Sequence, residues 1–188
     1  MNSQKQKEIE QKNLVDRRWI YQGRLVQLQL ETYQLENKTK VAEIIHHAGA
    51  VVILPIDEKG RILFVKQWRR AAKEILMELP AGTLEANELP HVCAERELRE
   101  ETGFGAKTLT ALGGFFSAPG FCTEYLHFFV AENLHSSPLP LDDDEGIDLI
   151  PTSLEHAIQM IENNQIRDAK TIAGLFRYQL WRERCAKS

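Results

Sequence analysis

Between positions 24 and 35 the chain reads RLVQLQLETYQL, with apolar and polar residues in turn. A period of two places successive side chains on opposite faces, the pattern of a half-buried strand. The pattern resumes over 40–46 after a turn at Asn37. Positions 48–56 are more uniformly apolar, as expected of a central strand covered on both faces. Asp57-Glu58-Lys59-Gly60 predicts a hairpin turn, with 61–68 as the returning strand. A short strand is expected over 75–79, ended by a break at Pro80-Ala81-Gly82. Further strands are expected over 107–117, 125–131 and 148–151.

Helical signals appear later. Pro90 suits the first turn of a helix and Gly103 suits a left-handed C-terminal cap, which predicts a helix over 90–102. Ser153 is the expected N-cap of a helix over 153–163, with Glu155 at its positive end and Leu154, Ala157 and Ile161 at apolar spacing. A last helix covers about 168–183. Residues 1–13 read as a frayed helix or an unordered tail. Positions 118–120 and 133–146 read as loops. Strands early and helices late favour an α+β sandwich. The expected division is an N-terminal tail and β region over 1–46 and a second domain over 47–188.

At 188 residues, folding removes roughly 70% of the unfolded chain's surface from water, so a core forms without disulfides. The 43% hydrophobic and 27% charged residues exclude a mostly disordered chain, a collagen-like repeat and a coiled coil. Cys93, Cys122 and Cys185 form no framework, and reduced thiols in a cytoplasm are the simplest reading. The opening residues lack the apolar core of a signal peptide. No apolar run approaches the ~20 residues of a membrane span, so no membrane partner is expected. A net charge of −4 carries no basic footprint for nucleic acid.

The location of the charge says more than its total. Positions 82–104 hold six Glu and two Arg, and the rest of the chain balances at 21 basic and 21 acidic residues. On the predicted helix Glu97, Glu100 and Glu101 fall within about 100° of arc, where like charges repel. A hard divalent cation reverses that cost, because Mg²⁺ takes oxygen ligands. For these three residues alone a plain solvated acidic face is the ordinary explanation, and the flanking residues decide between the two.

Those flanking residues read Gly82, five residues, Glu88, seven residues, then Arg96-Glu97-Leu98-Arg99-Glu100-Glu101-Thr102-Gly103-Phe104. The run resembles the Nudix box, G-x5-E-x7-R-E-U-x-E-E-x-G-U with U bulky and apolar, at every specified position. The resemblance implies a Nudix fold, an α/β/α sandwich around a mixed sheet. It also implies hydrolysis of a nucleoside diphosphate linked to another group, with Mg²⁺ or Mn²⁺. By position, Glu97 and Glu101 would be the main metal ligands, with Glu100 a further ligand or a water-orienting group. The Ala81 carbonyl would complete the set, and Glu88 would pair with Arg96.

Gln67-Trp68-Arg69, Glu78-Leu79-Pro80-Ala81-Gly82, Pro119, Glu124, the acidic run over 142–145 and Arg167-Asp168-Ala169-Lys170-Thr171 are similar to the ADP-ribose pyrophosphatase branch. In that branch Arg69 is expected on the diphosphate, where a guanidinium fork suits phosphate oxygens. Glu43, Glu124 and Lys170 are the other expected substrate contacts. Glu145 falls where the family places a loop carboxylate at the metals, and Asp143 lies near the place of a general base. Ala42 stands where the branch often has Arg, and Ala118 where it often has Ser. GDP-mannose hydrolases share the segment Leu126–Ala131 and are the close alternative, ahead of a nucleotide-sugar-binding module without activity. The branch also implies a homodimer with exchanged N-terminal strands, with Trp19 or Tyr21 either stacking on a base or packing.

Overall fold

The Asn2 side chain accepts the Lys5 backbone N–H at 2.9 Å and so caps the first helix, α1 (Ser3–Asn13). This helix buries none of its residues, as its polar sequence requires. The computed structural model describes residues 2–141 and 146–187. Next come β1 (Leu14–Gln22), β2 (Gln27–Leu35) and β3 (Lys38–His46), paired antiparallel in the order β1-β2-β3. These elements form one unit, Met1–Ala48 together with the loop Ala118–Glu124. Ile45 and Thr123 tie that loop to β3 through backbone bonds. Only β2 shows the alternation expected of a half-buried strand. Among the described residues, no helix is long and apolar enough to cross a membrane.

The second unit is Gly49–Ser117 with Tyr125–Ser188. It opens with β4 (Ala50–Pro55), buried at every position. The expected turn follows, with Gly60 N–H donating to the Asp57 carbonyl. The strands on either side do not form the hairpin that the sequence predicts. Ile56 and Ile62 make a single bridge, after which β5 (Ile62–Arg69) leaves for another sheet. Both strands are uniformly apolar over their first residues, and such strands find partners on both edges wherever a core needs them.

β6 (Glu74–Glu78) pairs with β5, and Pro80 then separates it from β7 (Ala81–Thr83). The expected break at Pro80-Ala81-Gly82 is therefore a crossing between sheets, since β7 pairs with β4. After β7 come α2 (Pro90–Thr102), β8 (Phe104–Phe116), β9 (Tyr125–Ser136), β10 (Ile147–Thr152), α3 (Leu154–Glu162) and α4 (Ala169–Cys185). β9 runs five residues further than expected. One sheet is mixed, β7-β4-β9-β8, with β4 and β9 parallel. The other, β10-β5-β6, is antiparallel.

The alternation of β4 and β9 divides the core. Val51, Ile53, Phe129 and Ala131 pack with Cys93, Ala94 and Leu98 of α2. Val52, Leu54, Phe128 and Val130 pack on the other side with Phe64, Leu79, Leu175 and Tyr178. Leu98 is fully buried, and removing such a side chain from water stabilises by roughly 2 kcal/mol. Helices on both sides of a mixed sheet make the α/β/α sandwich expected from the sequence, within an α+β chain.

Candidate functional site

Helix α2 carries the acidic box, and its ends explain its place. Pro90 occupies the first turn, and Gly103 ends the helix at φ 75°, where its N–H donates to the Arg99 carbonyl. Cys93, Ala94, Leu98 and Thr102 face the core, and Glu101 is buried with them at 6% exposure. Glu97 and Glu100 lie one turn apart on the more open side.

Strand β7 passes directly beside these carboxylates. Ile53 N–H donates to the Pro80 carbonyl and Leu84 N–H to the Gly49 carbonyl. Antiparallel bonding alternates, so Ala81 and Thr83 turn both backbone groups away from β4 and toward α2. Ala81 N–H donates to Glu101 Oε2 at 2.9 Å, and Arg96 reaches the Thr83 carbonyl at 3.3 Å. The Ala81 carbonyl faces the same edge as its N–H. At Gly82 a Cβ atom would lie 1.8 Å from the Glu97 carboxyl carbon, so glycine leaves the space that this carboxylate fills.

Arg96 holds the acidic cluster together. It makes a two-pronged contact with Glu88 at 3.0 and 3.0 Å and also donates to Glu97 at 2.6 Å and Glu100 at 2.9 Å. Arg96 holds the Glu88 carboxyl down to about 2 against the opposing effect of burial, with help from the Glu85 N–H. The Glu88–Arg96 pairing matches the sequence expectation. Burial pushes the Cys93 thiol well above its usual range, which disfavours the thiolate.

A second cluster centres on Glu78, whose side chain is fully buried. Arg69 Nε and Nη2 donate to its two oxygens at 2.7 and 2.6 Å, and Lys170 Nζ also donates to it. Burial raises the Glu78 pKa, but these two cations outweigh it and hold the carboxyl below its ordinary value. Hydrogen bonding to Glu78 raises the Arg69 pKa, with the charges of Glu101 and Asp168 adding to it. Asp168 caps α4, accepting the Thr171 N–H at 2.9 Å, and lies 3.1 Å from Lys170. The Thr171 hydroxyl accepts the Leu79 N–H at 2.8 Å, which ties α4 to the strand end that carries Glu78.

The other expected site residues are placed as follows. Glu43 is exposed on β3, opposite Leu30. Glu124 lies 3.5 Å from His47 Nδ1. Trp19 is tilted against His46 with ring centroids 4.9 Å apart. All of these belong to the first unit. Asp143 and Glu145 lie outside the described residues. Sequence reasoning gave Glu78 no role of its own, although Arg69 and Lys170 both converge on it. The signal was its place as the last residue of β6, a carboxylate that closes the apolar run Ile75-Leu76-Met77 just before Leu79-Pro80.

The donors on α2 and β7 suit a hard divalent cation: three carboxylates, one backbone carbonyl and a glycine that keeps the space for Glu97. Among the described residues, no three His, Cys, Asp or Glu side chains converge on one point. Glu97 and Glu100 turn to Arg96 and Glu101 to Ala81. Metal binding would exchange those Arg96 contacts for the ion.

The family model described as "NUDIX domain" matches residues 46–175. An ADP-ribose pyrophosphatase of Bacillus subtilis is 38% identical over 93% of this chain and 95% of its own length. A methanol dehydrogenase activator of Bacillus methanolicus is 39% identical over 86% of this chain and 89% of its own. A GDP-mannose pyrophosphatase of Salmonella paratyphi B is 31% identical over 75% and 81%. A solved structure described as an ADP compounds hydrolase superposes with a TM-score of 0.82 at 22% identity, covering 93% of this chain and 96% of that one, which establishes the likeness of fold.

Proposed function

The chain belongs to the NUDIX family of hydrolases, and from that premise we propose that it cleaves the diphosphate bond of ADP-ribose or a related nucleotide-sugar, using Mg²⁺ or Mn²⁺. The products are a nucleoside monophosphate and a sugar phosphate. The observation that carries this reading is the oxygen-lined edge where Glu97, Glu100 and Glu101 meet Ala81 and Gly82, in the same unit as the Arg69–Glu78–Lys170 cluster.

Glu97, Glu101 and the Ala81 carbonyl would hold the metal, with Glu100 as a further ligand. When bound, the metal offsets charge on the phosphate oxygens and makes water a better nucleophile at neutral pH. Arg69, its Nε–Nη2 edge held by Glu78, offers its remaining Nη N–H groups to the diphosphate, and Lys170 adds a second positive charge. Glu78 aims both cations through the contacts described above. Glu43 and Glu124 are the proposed contacts to the rest of the substrate. Glu145 or Asp143 orients or deprotonates the attacking water. Most of the acceleration then comes from position and electrostatics.

GDP-mannose is the second substrate reading, favoured by the GDP-mannose pyrophosphatase relative. The relative named as an activator favours a third reading, a regulatory module that binds a nucleotide-sugar. All box carboxylates are present here, which supports catalysis over that reading. A panel of ADP-ribose, GDP-mannose, other nucleotide-sugars and nucleoside triphosphates, assayed with and without Mg²⁺, separates them. Monophosphate release from ADP-ribose is expected to lead. Release from GDP-mannose alone would transfer the assignment, and binding without release would reject catalysis.

Val15, Trp19, Tyr21 and Val41 of the N-terminal sheet are exposed in the single chain, and this apolar surface supports a homodimer formed through residues 1–46. Size-exclusion chromatography with light scattering is expected to give twice the chain mass, and a monomer would reject the dimer. The three unpaired cysteines suit a reducing compartment, and we place the enzyme in the cytoplasm.

A further inference from the structure

Gln67 is buried at 6% exposure, and among the described residues its Nε2 has no hydrogen-bond partner. A buried amide N–H without an acceptor is costly, so such a group calls for an explanation. Its position in the sheet supplies one. Strand register sets Gln67 opposite Leu76 of β6 and Ile147 of β10, while Val65 stands opposite Glu78. Residues two apart on a strand share a face, so Gln67, Arg69 and Glu78 lie on one face of the β10-β5-β6 sheet. Lys170 reaches that face through Glu78.

The two cations suit phosphate oxygens. A neutral amide donor between apolar neighbours suits a neutral oxygen instead, because it offers N–H groups without drawing charge. We propose that Gln67 is a sugar-binding residue, its Nε2 donating to a hydroxyl oxygen of the sugar moiety next to the phosphate held by Arg69. The inference rests on the nucleotide-sugar reading above and adds the residue that recognises the sugar.

The test compares wild type with Gln67→Met, which keeps the length and removes the donors, and with Gln67→Leu as a second variant. KM and kcat are measured for ADP-ribose and for the methyl ester of ADP, which keeps both phosphates and lacks the second sugar. Thermal unfolding is followed for each protein free and with ribose 5-phosphate. KM for ADP-ribose should rise about three- to tenfold, the worth of one hydrogen bond, while KM for the methyl ester stays within about twofold. The Tm of the free protein should not fall, and the Tm increase given by ribose 5-phosphate should shrink. Equal increases in KM for both substrates, no increase for either, or a lowered Tm of the free protein in both variants would overturn the proposal. Failure of the nucleotide-sugar reading looks different: the wild type itself would release no monophosphate from any nucleotide-sugar, and this inference would fall with it.

Discussion

Arg69 grips Glu78 with two parallel hydrogen bonds of 2.7 and 2.6 Å across neighbouring strands, and the carboxylate it holds has no exposure to solvent. Replacing Glu78 with Gln leaves Arg69 and Lys170 facing each other without their shared anion. Breaking a buried pair in this way costs about 3 kcal/mol. A urea unfolding midpoint shifted down accordingly is expected, together with weaker nucleotide-sugar binding. An unchanged midpoint would show that the pair contributes little.

At Gly82 stability and activity should separate. The three atoms nearest a methyl group there all belong to the far end of the Glu97 side chain, which can swing aside. Gly82→Ala is therefore expected to unfold within a few degrees of wild type. Its Mg²⁺ requirement should rise at least tenfold, because the displaced carboxylate is a proposed ligand. A Mg²⁺ titration of monophosphate release measures this, and a curve identical to wild type would remove Glu97 from the metal site.

Glu101→Gln keeps the shape of the side chain, and its amide oxygen can still accept the Ala81 N–H. The fold should survive while kcat falls by several orders of magnitude. Circular dichroism and turnover, measured on one preparation, check both halves. Turnover near the wild-type value would reject Glu101 as a ligand.

Glu88 predicts a particular acid response. Arg96 depresses its folded-state pKa from 4.5 to about 2, so its contribution is complete above about pH 4.5 and is lost as pH falls toward 2. Wild type should therefore lose stability steeply between those limits. Glu88→Gln should be less stable at pH 7 and should lose less over the same interval. Urea midpoints at pH 7, 4 and 3 test this, and parallel pH slopes would contradict it.

What the sequence revealed and what it hid follow from how local each signal is. Pro90, Gly103 and Ser153 act on the backbone within a turn of themselves, and all three helix ends lie where those residues put them. The box glutamates sit on one helix, so their shared face could be read from spacing alone. The parting of β4 and β5 into different sheets could not, because a turn such as Asp57–Gly60 says nothing about which edges pair beyond it. Strand β1 carries no such signal, since LVDRRWIYQ is almost wholly exposed and has no buried face to impose alternation. The convergence of Arg69 and Lys170 on Glu78 joins residues far apart in the chain and depends on burial, which no local pattern reports.

Mg²⁺ dependence of AMP release from ADP-ribose bears on the whole site at once, measured in excess EDTA and then across a Mg²⁺ titration for wild type and Glu97→Gln. The predicted result is no release in EDTA, full recovery on adding Mg²⁺, and a half-activating concentration at least tenfold higher in the variant. Release that continues in excess chelator, or a variant with the wild-type Mg²⁺ curve, would show that the glutamates of α2 do not hold a metal for this reaction.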